Sequence, residues 1–366
     1  MTPLQRNGSR FQREAVSATA AGTEAARIRI GVVGLGYWGP NLVRVINESA
    51  AAEVAWMCDL RPEVLAPLGQ RFPAVRQTQQ FDELLEDDSV EAVAVVTPVS
   101  THYDLAMRAL NAGKHVFVEK PLTSSSDLAV GLIRRAYERG LVLMPGHTFL
   151  YSPPVIRIRE LIRAGELGDI YFISMSRVNL GLHQSDVSVI WDLGPHDFSI
   201  LLYWLDEPPS QVSSTGRACV DEKEDVAFIT CRFDSGTLAH LELSWLAPSK
   251  LRRTTVVGSK KMVVYDDCSN EPVRVYDAGV MPRDPESFGE YLKYRTGDIV
   301  SPHIESSEPI ALQMDDFCRA IRTGTTPTSS ARLGLDVVRM IEAADRSHVD
   351  FSESGLLESS ASVSDR

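Results

Sequence analysis

At 366 residues, with 44% hydrophobic and 23% charged side chains, the chain has the make-up of an ordinary globular protein and the length for two separately cored domains. A formal net charge of −12 argues against nucleic acid or an anionic membrane surface as the main partner, though a locally basic site could still take an anion. The five cysteines are odd in number and form no C-x-x-C pair, so neither a disulfide framework nor a zinc site is indicated, and a reducing cytoplasm is the expected compartment.

Residues 1–26 are rich in Ala, Ser, Thr, Gln and Arg and lack the apolar centre of a secretory signal; they read as a disordered extension. No apolar run reaches the roughly 18 residues needed to span a membrane. The informative stretch follows at once. Arg27–Gly39 (RIRIGVVGLGYWG) is an apolar strand entering a G-x-G-x-x-G turn at Gly34, Gly36 and Gly39, with Pro40 at a helix start and the periodic run Leu42, Val43, Val45, Ile46 behind it. Strand, glycine turn and helix in that order make a cradle for a dinucleotide pyrophosphate, with Tyr37 and Trp38 inside the turn. Asp59 closes the next apolar run, Glu53–Cys58, 20 residues beyond Gly39. A carboxylate there can accept from the adenosine ribose hydroxyls and repel a 2′-phosphate. Leu60 cannot pair a phosphate, although Arg61 could, so NAD is expected over NADP.

Further apolar runs at Ala92–Val96, His115–Val118 and Leu141–Met144 complete a set of strands buried on both faces. Helical patterns separate them: Phe81–Glu86, Tyr103–Asn111 before Gly113, and Leu128–Arg139 before Gly140. A doubly wound parallel α/β sheet is therefore expected over residues 27–148. Beyond it the pattern changes. A helix at Val155–Arg163 precedes β-favouring runs at Ile170–Val178, Gln211–Arg217, Val226–Phe233, Thr237–Trp245, Arg253–Val257, Lys261–Tyr265 and Val273–Asp277. Helices return at Ile310–Ile321 and Leu333–Ala344. Residues 149–349 are thus expected to form an α+β domain with a large, mainly antiparallel sheet, one face open for oligomer contacts. The Ser-rich residues 350–366 read as a disordered tail.

Three chemical elements stand out. Glu119-Lys120-Pro121 ends the strand at His115–Val118, where ligand crevices of open parallel sheets lie. A lysine before proline is held extended or meets a cis bond, which fixes its direction; position alone leaves a proton-handling group and a surface lysine equally open. Thr97-Pro98 closes the strand before it, and His102 either starts the next helix or takes part in chemistry. In Trp191-Asp192-Leu193-Gly194-Pro195-His196-Asp197, a helix beginning near Pro195 would be capped by Asp192 and carry His196 on its first turn. A histidine titrates in the range useful for taking a hydroxyl proton, and nearby charges tune it.

Together these motifs resemble the glucose–fructose oxidoreductase/inositol dehydrogenase/MocA family over nearly all of residues 27–346, with Glu308-Pro309 opening a similar C-terminal segment. The resemblance implies a Rossmann domain, an open-sheet second domain forming dimers or tetramers, and NAD as cofactor; a metal site on Asp192, His196 and Glu119 is not expected, because these residues lack a dedicated ligand spacing. The resemblance also implies Lys120, Asp192 and His196 as the catalytic set, and cofactor contacts from the glycine turn, Asp59, Leu60, Thr97, Pro98, His102, Glu119 and Lys120. The implied reaction is hydride transfer between a sugar or cyclitol carbinol carbon and nicotinamide. Arg177-Val178-Asn179-Leu180-Gly181, Val189–Asp197 and Gly146-His147-x-x-x-Tyr151 are similar to the subgroup of UDP-N-acetylglucosamine (or uronate) 3-dehydrogenases. His147, Tyr151, Arg177 and Asn179 are accordingly candidates for a sugar's hydroxyls, and Lys250, Arg252 or Arg253 for a diphosphate. A free cyclitol or aminosugar dehydrogenase, a keto-sugar reductase and a non-catalytic NAD sensor are the alternative readings.

Overall fold

The computed structural model describes residues 26–181, 187–220, 222–280 and 294–347; the two expected disordered ends lie outside the described residues, residue 26 apart. The first lobe is built from β1 (Ile28–Val33), α1 (Gly39–Glu48), β2 (Ala52–Cys58), α2 (Pro62–Arg71), β3 (Arg76–Thr78), α3 (Phe81–Glu86), β4 (Ala92–Val95), α4 (Val99–Asn111), β5 (His115–Glu119), α5 (Ser126–Arg139) and β6 (Leu143–Gly146). Its six parallel strands run in the order β3-β2-β1-β4-β5-β6, so the chain reverses direction across the sheet between β1 and β4. The strands are apolar throughout because helices cover both faces. Ile30 and Val32 pack with Leu42 and Ile46 of α1 on one side. Val93 and Val95 pack with Ala106 of α4 and Leu132 of α5 on the other.

Two elements of this lobe are absent from the sequence expectation. Helix α2 carries Pro62, Pro67 and Gly69, which dilute its periodic signal, and β3 is only three residues with one buried side chain. Helix α4 also starts at Val99 rather than Tyr103, because Pro98 stands at the N-cap, where its missing N–H costs nothing. Helix α5 follows its signals closely. Ser125 Oγ accepts from Leu128 N at its start, and Gly140 ends it at φ 63°.

The second lobe opens with a 3₁₀ turn at Thr148–Tyr151, then α6 (Pro153–Arg163), β7 (Ile170–Leu180) and α7 (Val189–Leu205). It continues with β8 (Gln211–Arg217), β9 (Val226–Arg232), β10 (Leu238–Ser244), β11 (Leu246–Gly258), β12 (Met262–Asp266), β13 (Val273–Tyr276), β14 (Gly279–Val280), β15 (Tyr294–Arg295) and β16 (Ile299–Val300). Eight of these strands form one sheet, β16-β13-β12-β11-β7-β10-β9-β8. It is antiparallel except where β10 lies parallel to β7, at its centre. Helix α7 covers one face. The other carries exposed Phe172, Phe228 and Leu238.

Helices α8 (Pro309–Thr323) and α9 (Ala331–Ser347) bind the lobes together. Phe317 of α8 meets Phe117 of β5 at 6.0 Å. On α9, Glu342 accepts from Ser126 of α5, while the Ala344 carbonyl accepts from Ser214 of β8. None of the helices among the described residues is long and apolar enough to cross a membrane.

Candidate active site

The parallel strands of the first lobe end on one edge of their sheet, and from that edge Lys120, after β5, meets Asp192 of α7 and Phe149, after β6, meets His196. At the end of β1 the three glycines have separate physical reasons. Gly34 sits at φ 90°, and a Cβ there would overlap the Val96 carbonyl. A Cβ on Gly39 would overlap the Gly34 carbonyl, so the helix can approach the turn only without one. A Cβ on Gly36 would meet nothing nearer than Arg61 at 3.8 Å, which leaves the backbone open to a close-lying phosphate. Helix α1 then starts without a side-chain cap or an acidic residue in its first turn, and its N-terminal dipole is unspent. Tyr37 and Trp38 are exposed around this turn, as is Leu60.

Asp59 closes β2 and is 7% exposed. Its Oδ2 accepts from Leu35 N at 2.8 Å, and its Oδ1 accepts from the N and Nε of Arg61 at 3.0 and 3.1 Å. Burial works to raise its pKa, but these donors outweigh it and keep the carboxyl below its ordinary value. The carboxylate is therefore oriented and ionised beside the glycine turn, with Arg61 lying over it.

His102 needs a correction. It is buried, not lining the crevice, with Nε2 2.8 Å from the Thr97 carbonyl and Nδ1 2.9 Å from the Pro121 carbonyl. It joins the turn after β4 to the turn after β5, and both ring nitrogens are engaged within the protein. The Lys120–Pro121 bond is cis. Glu119 sits behind the lysine, accepting from Lys120 N at 3.1 Å, and burial pushes its carboxyl up to about 7 against the pull of the Lys120 charge.

Helix α7 also departs from expectation. It begins at Val189, with Ser188 at the N-cap, and runs through Pro195. The Gly194-Pro195 pair reads as a break locally, but nearly the whole surface of this helix is enclosed by core, and tertiary packing outweighs the missing hydrogen bond. Asp192 thus sits in the first turn with His196 one turn on. Lys120 Nζ crosses from the first lobe and donates to the Asp192 carbonyl at 2.8 Å and to Oδ1 at 3.0 Å. Trp245 Nε1 donates to Oδ2 at 3.1 Å. Asp192 therefore holds the lysine, where the sequence suggested that it caps a helix beginning near Pro195.

His196 lies against an aromatic ring. Phe149 meets it edge-on at 5.0 Å, and the Arg177 guanidinium covers Phe149 at 4.5 Å. Burial, followed by the charges of Lys120, Arg177 and Arg252, holds the His196 imidazole well below its usual pKa. An imidazole of lowered basicity thus lies within electrostatic reach of the Lys120 ammonium. That pair can take a proton from, and stabilise negative charge on, one oxygen.

Two of the proposed sugar contacts are corrected. Arg177 is 4% exposed and committed to Asp197 at 2.6 and 2.9 Å. Tyr151 donates to Asp316 Oδ2 at 2.7 Å and accepts from Ser329 N, anchoring α8. His147 is 1% exposed, with burial and then Lys120 pushing it down to about 3, and neither ring nitrogen has a hydrogen-bond partner among the described residues, so it stays a candidate. Asn179, half-buried on the same strand face as Arg177, keeps its candidacy. Sequence pattern missed Phe149 and Trp245 altogether, since a lone aromatic after a strand looks like core. Asp197 carried one signal, its place directly after His196.

Residues 28–147 match the model of the oxidoreductase family with an NAD-binding Rossmann fold, and residues 155–264 match the GFO/IDH/MocA C-terminal domain. A UDP-N-acetylglucosamine 3-dehydrogenase of Acidithiobacillus ferrooxidans is 31% identical over 310 residues, covering 80% of this chain and 92% of that protein. The chain belongs to the Gfo/Idh/MocA oxidoreductase family. It is an NAD-dependent oxidoreductase. Other members resemble it over similar lengths. The scyllo-inositol 2-dehydrogenase (NADP(+)) of Bacillus subtilis is 28% identical, covering 87% of this chain and 92% of that one. The crystal structure of GenD2 from gentamicin A biosynthesis, in complex with NAD, has a TM-score of 0.75 at 27% identity and covers 89% and 95% of the two chains. The family's cofactor fits this site: a Cβ at Gly34 or Gly39 would collide with backbone, the open face at Gly36 lets a phosphate come close, and the Asp59 carboxyl is held below its ordinary pKa beside the turn.

Proposed function

We propose that this oxidoreductase oxidises a ring hydroxyl, at C3, of a nucleotide-linked sugar. The observation that carries the reading is the Lys120 ammonium, drawn across the cleft onto Asp192 and close enough to His196 to weigh on its titration. His196 takes the hydroxyl proton. Lys120 donates a hydrogen bond to the same oxygen as negative charge develops, and Asp192 with Trp245 keeps the ammonium in place. Gly34, Gly36, Gly39 and the start of α1 hold the pyrophosphate, Asp59 the adenosine ribose, and the turns after β4 and β5 the nicotinamide end. NAD, when bound, supplies the hydride acceptor. Positioned acid–base help of this kind contributes about 10²–10⁴ in rate.

The choice of a nucleotide sugar is supported by the 3-dehydrogenase of Acidithiobacillus ferrooxidans and by the basic groups on β11. Oxidation of a free cyclitol is the second reading, favoured by the inositol dehydrogenase match over 87% of the chain. A panel of UDP-sugars, dTDP-sugars and free inositols, followed by NADH absorbance, separates them; turnover confined to free polyols would overturn the nucleotide-sugar reading. Pairing of two copies through the uncovered sheet face, where Phe172, Phe228 and Leu238 are exposed, is part of the same proposal. Light scattering of the purified protein tests it, and a monomer at all concentrations would refute it.

A further inference from the structure

Resting on the reading of the cleft as a sugar site, we infer that Arg252 is its anion-recognition group and that the substrate carries a phosphate or carboxylate close to the ring being oxidised. Lys250, Arg252 and Arg253 look equivalent in sequence; the register of β11 separates them. Arg252 lies opposite Arg177 on β7, so the two side chains share the face that looks toward α7. Arg253 lies opposite Ser176 and points to the uncovered face. Lys250 falls in the irregular stretch between Leu246 and Leu251 and is exposed.

The Arg252 guanidinium reaches the same Phe149 ring that meets His196, 5.9 Å from its centre. Arg177 reaches that ring too and its Nη1 is likewise buried without a hydrogen bond, but its charge is already matched by a buried Asp197. Arg252 is held differently. Its Nη1 donates to Asp267 Oδ2 at 3.2 Å. Asp267 is fixed in turn by the Tyr265 hydroxyl at 3.0 Å and by its own N–H on the Arg252 carbonyl. One side of the fork is thus anchored, on an aspartate only partly enclosed. Nε is buried and makes no hydrogen bond among the described residues.

A desolvated donor left without an acceptor costs about 1–3 kcal/mol, and the Nε–Nη2 edge of a guanidinium matches the two oxygens of a carboxylate or phosphate. A neutral sugar hydroxyl offers a single oxygen and no charge. The surrounding cations strengthen the preference, for Lys120, Arg177 and Arg252 all bear on His196 in a protein whose net charge is −12.

The test compares wild type with Arg252→Met, Arg252→Lys and Arg253→Met. The substrates are UDP-N-acetylglucosamine, its uronate and neutral N-acetylglucosamine, and UDP binding is titrated calorimetrically in the presence of NAD. In Arg252→Met the ratio of kcat/KM for charged over neutral sugar falls about 10–100-fold, chiefly through KM, as loss of a charged hydrogen bond requires. Arg252→Lys recovers part of it, and Arg253→Met keeps the wild-type ratio. Weakened UDP binding identifies phosphate as the anion; unchanged UDP binding with loss of uronate preference identifies the carboxylate. An unchanged ratio together with unchanged UDP binding, or equal effects of Arg252→Met and Arg253→Met, overturns the inference. Wild-type protein that binds UDP through Arg252 yet oxidises no sugar defeats the dehydrogenase reading alone.

Discussion

Lys120→Met removes an ammonium that joins the lobes at the cleft while keeping an apolar stem of similar length. Two charge-assisted hydrogen bonds go with it, to the carbonyl and to Oδ1 of Asp192, between side chains 13% and 16% exposed. Breaking a fully buried ion pair costs about 3–5 kcal/mol. Here the Asp192 carboxylate keeps its bond from Trp245 and some contact with solvent, so about 2 kcal/mol is expected, seen as a lower melting temperature. The loss of turnover is larger. Withdrawing the donor that stabilises the developing oxyanion lowers kcat by about 10²–10⁴, equivalent to roughly 2.7–5.5 kcal/mol of barrier. NAD affinity, followed by quenching of intrinsic fluorescence, stays within a few fold because the phosphate cradle is on β1 and α1. Lys120→Arg retains the charge with different geometry and falls between. The decisive measurement is steady-state NADH formation beside thermal unfolding. Turnover within about threefold of wild type in a folded Lys120→Met variant would refute the mechanism.

Three further outcomes follow from the same geometry. His196 must be neutral to accept a proton, and its pKa is depressed, so kcat/KM holds on the acid side until well below the ordinary imidazole range; Arg252→Met, by removing one of the charges responsible, moves that acid limb upward. An acid limb at the usual imidazole value would contradict the electrostatic account. Glu119 has its pKa raised by burial to about 7, so the folded protein holds a proton that the unfolded chain releases, and stability declines as pH rises from about 4.5 to 7. Glu119→Gln removes this term and gains on wild type across that window by up to about 3 kcal/mol; parallel pH–stability curves in urea would argue against it. Gly34→Ala places a Cβ against the Val96 carbonyl at φ 90°, and is expected to cost about 3 kcal/mol or more and abolish NAD binding, as calorimetry would register.

Local chemistry alone determined a good part of this protein. The glycine turn, Asp59 at its distance and the apolar strands identify the first lobe because each requirement involves neighbours in the chain: a positive φ, a helix start, a strand buried on both faces. Strands β7 to β13 of the second lobe were legible for the same reason, from alternation and turns, whereas β14, β15 and β16, two residues each, are too short to show a period. Where local signals conflict with packing, the sequence misleads. Pro195 looks like the start of a helix that in fact begins at Val189 inside the core, and α2 hides behind two prolines and a glycine. Partnerships across the cleft lie beyond local reading altogether. That Asp192 serves Lys120 and Trp245, that Phe149 meets His196, and that Arg252 shares a sheet face with Arg177 while Arg253 turns away depend on which strands pair and in what register. Hydrogen bonds and ion pairs act over a few ångströms, and only the folded chain brings residues 72 or 53 positions apart within that range.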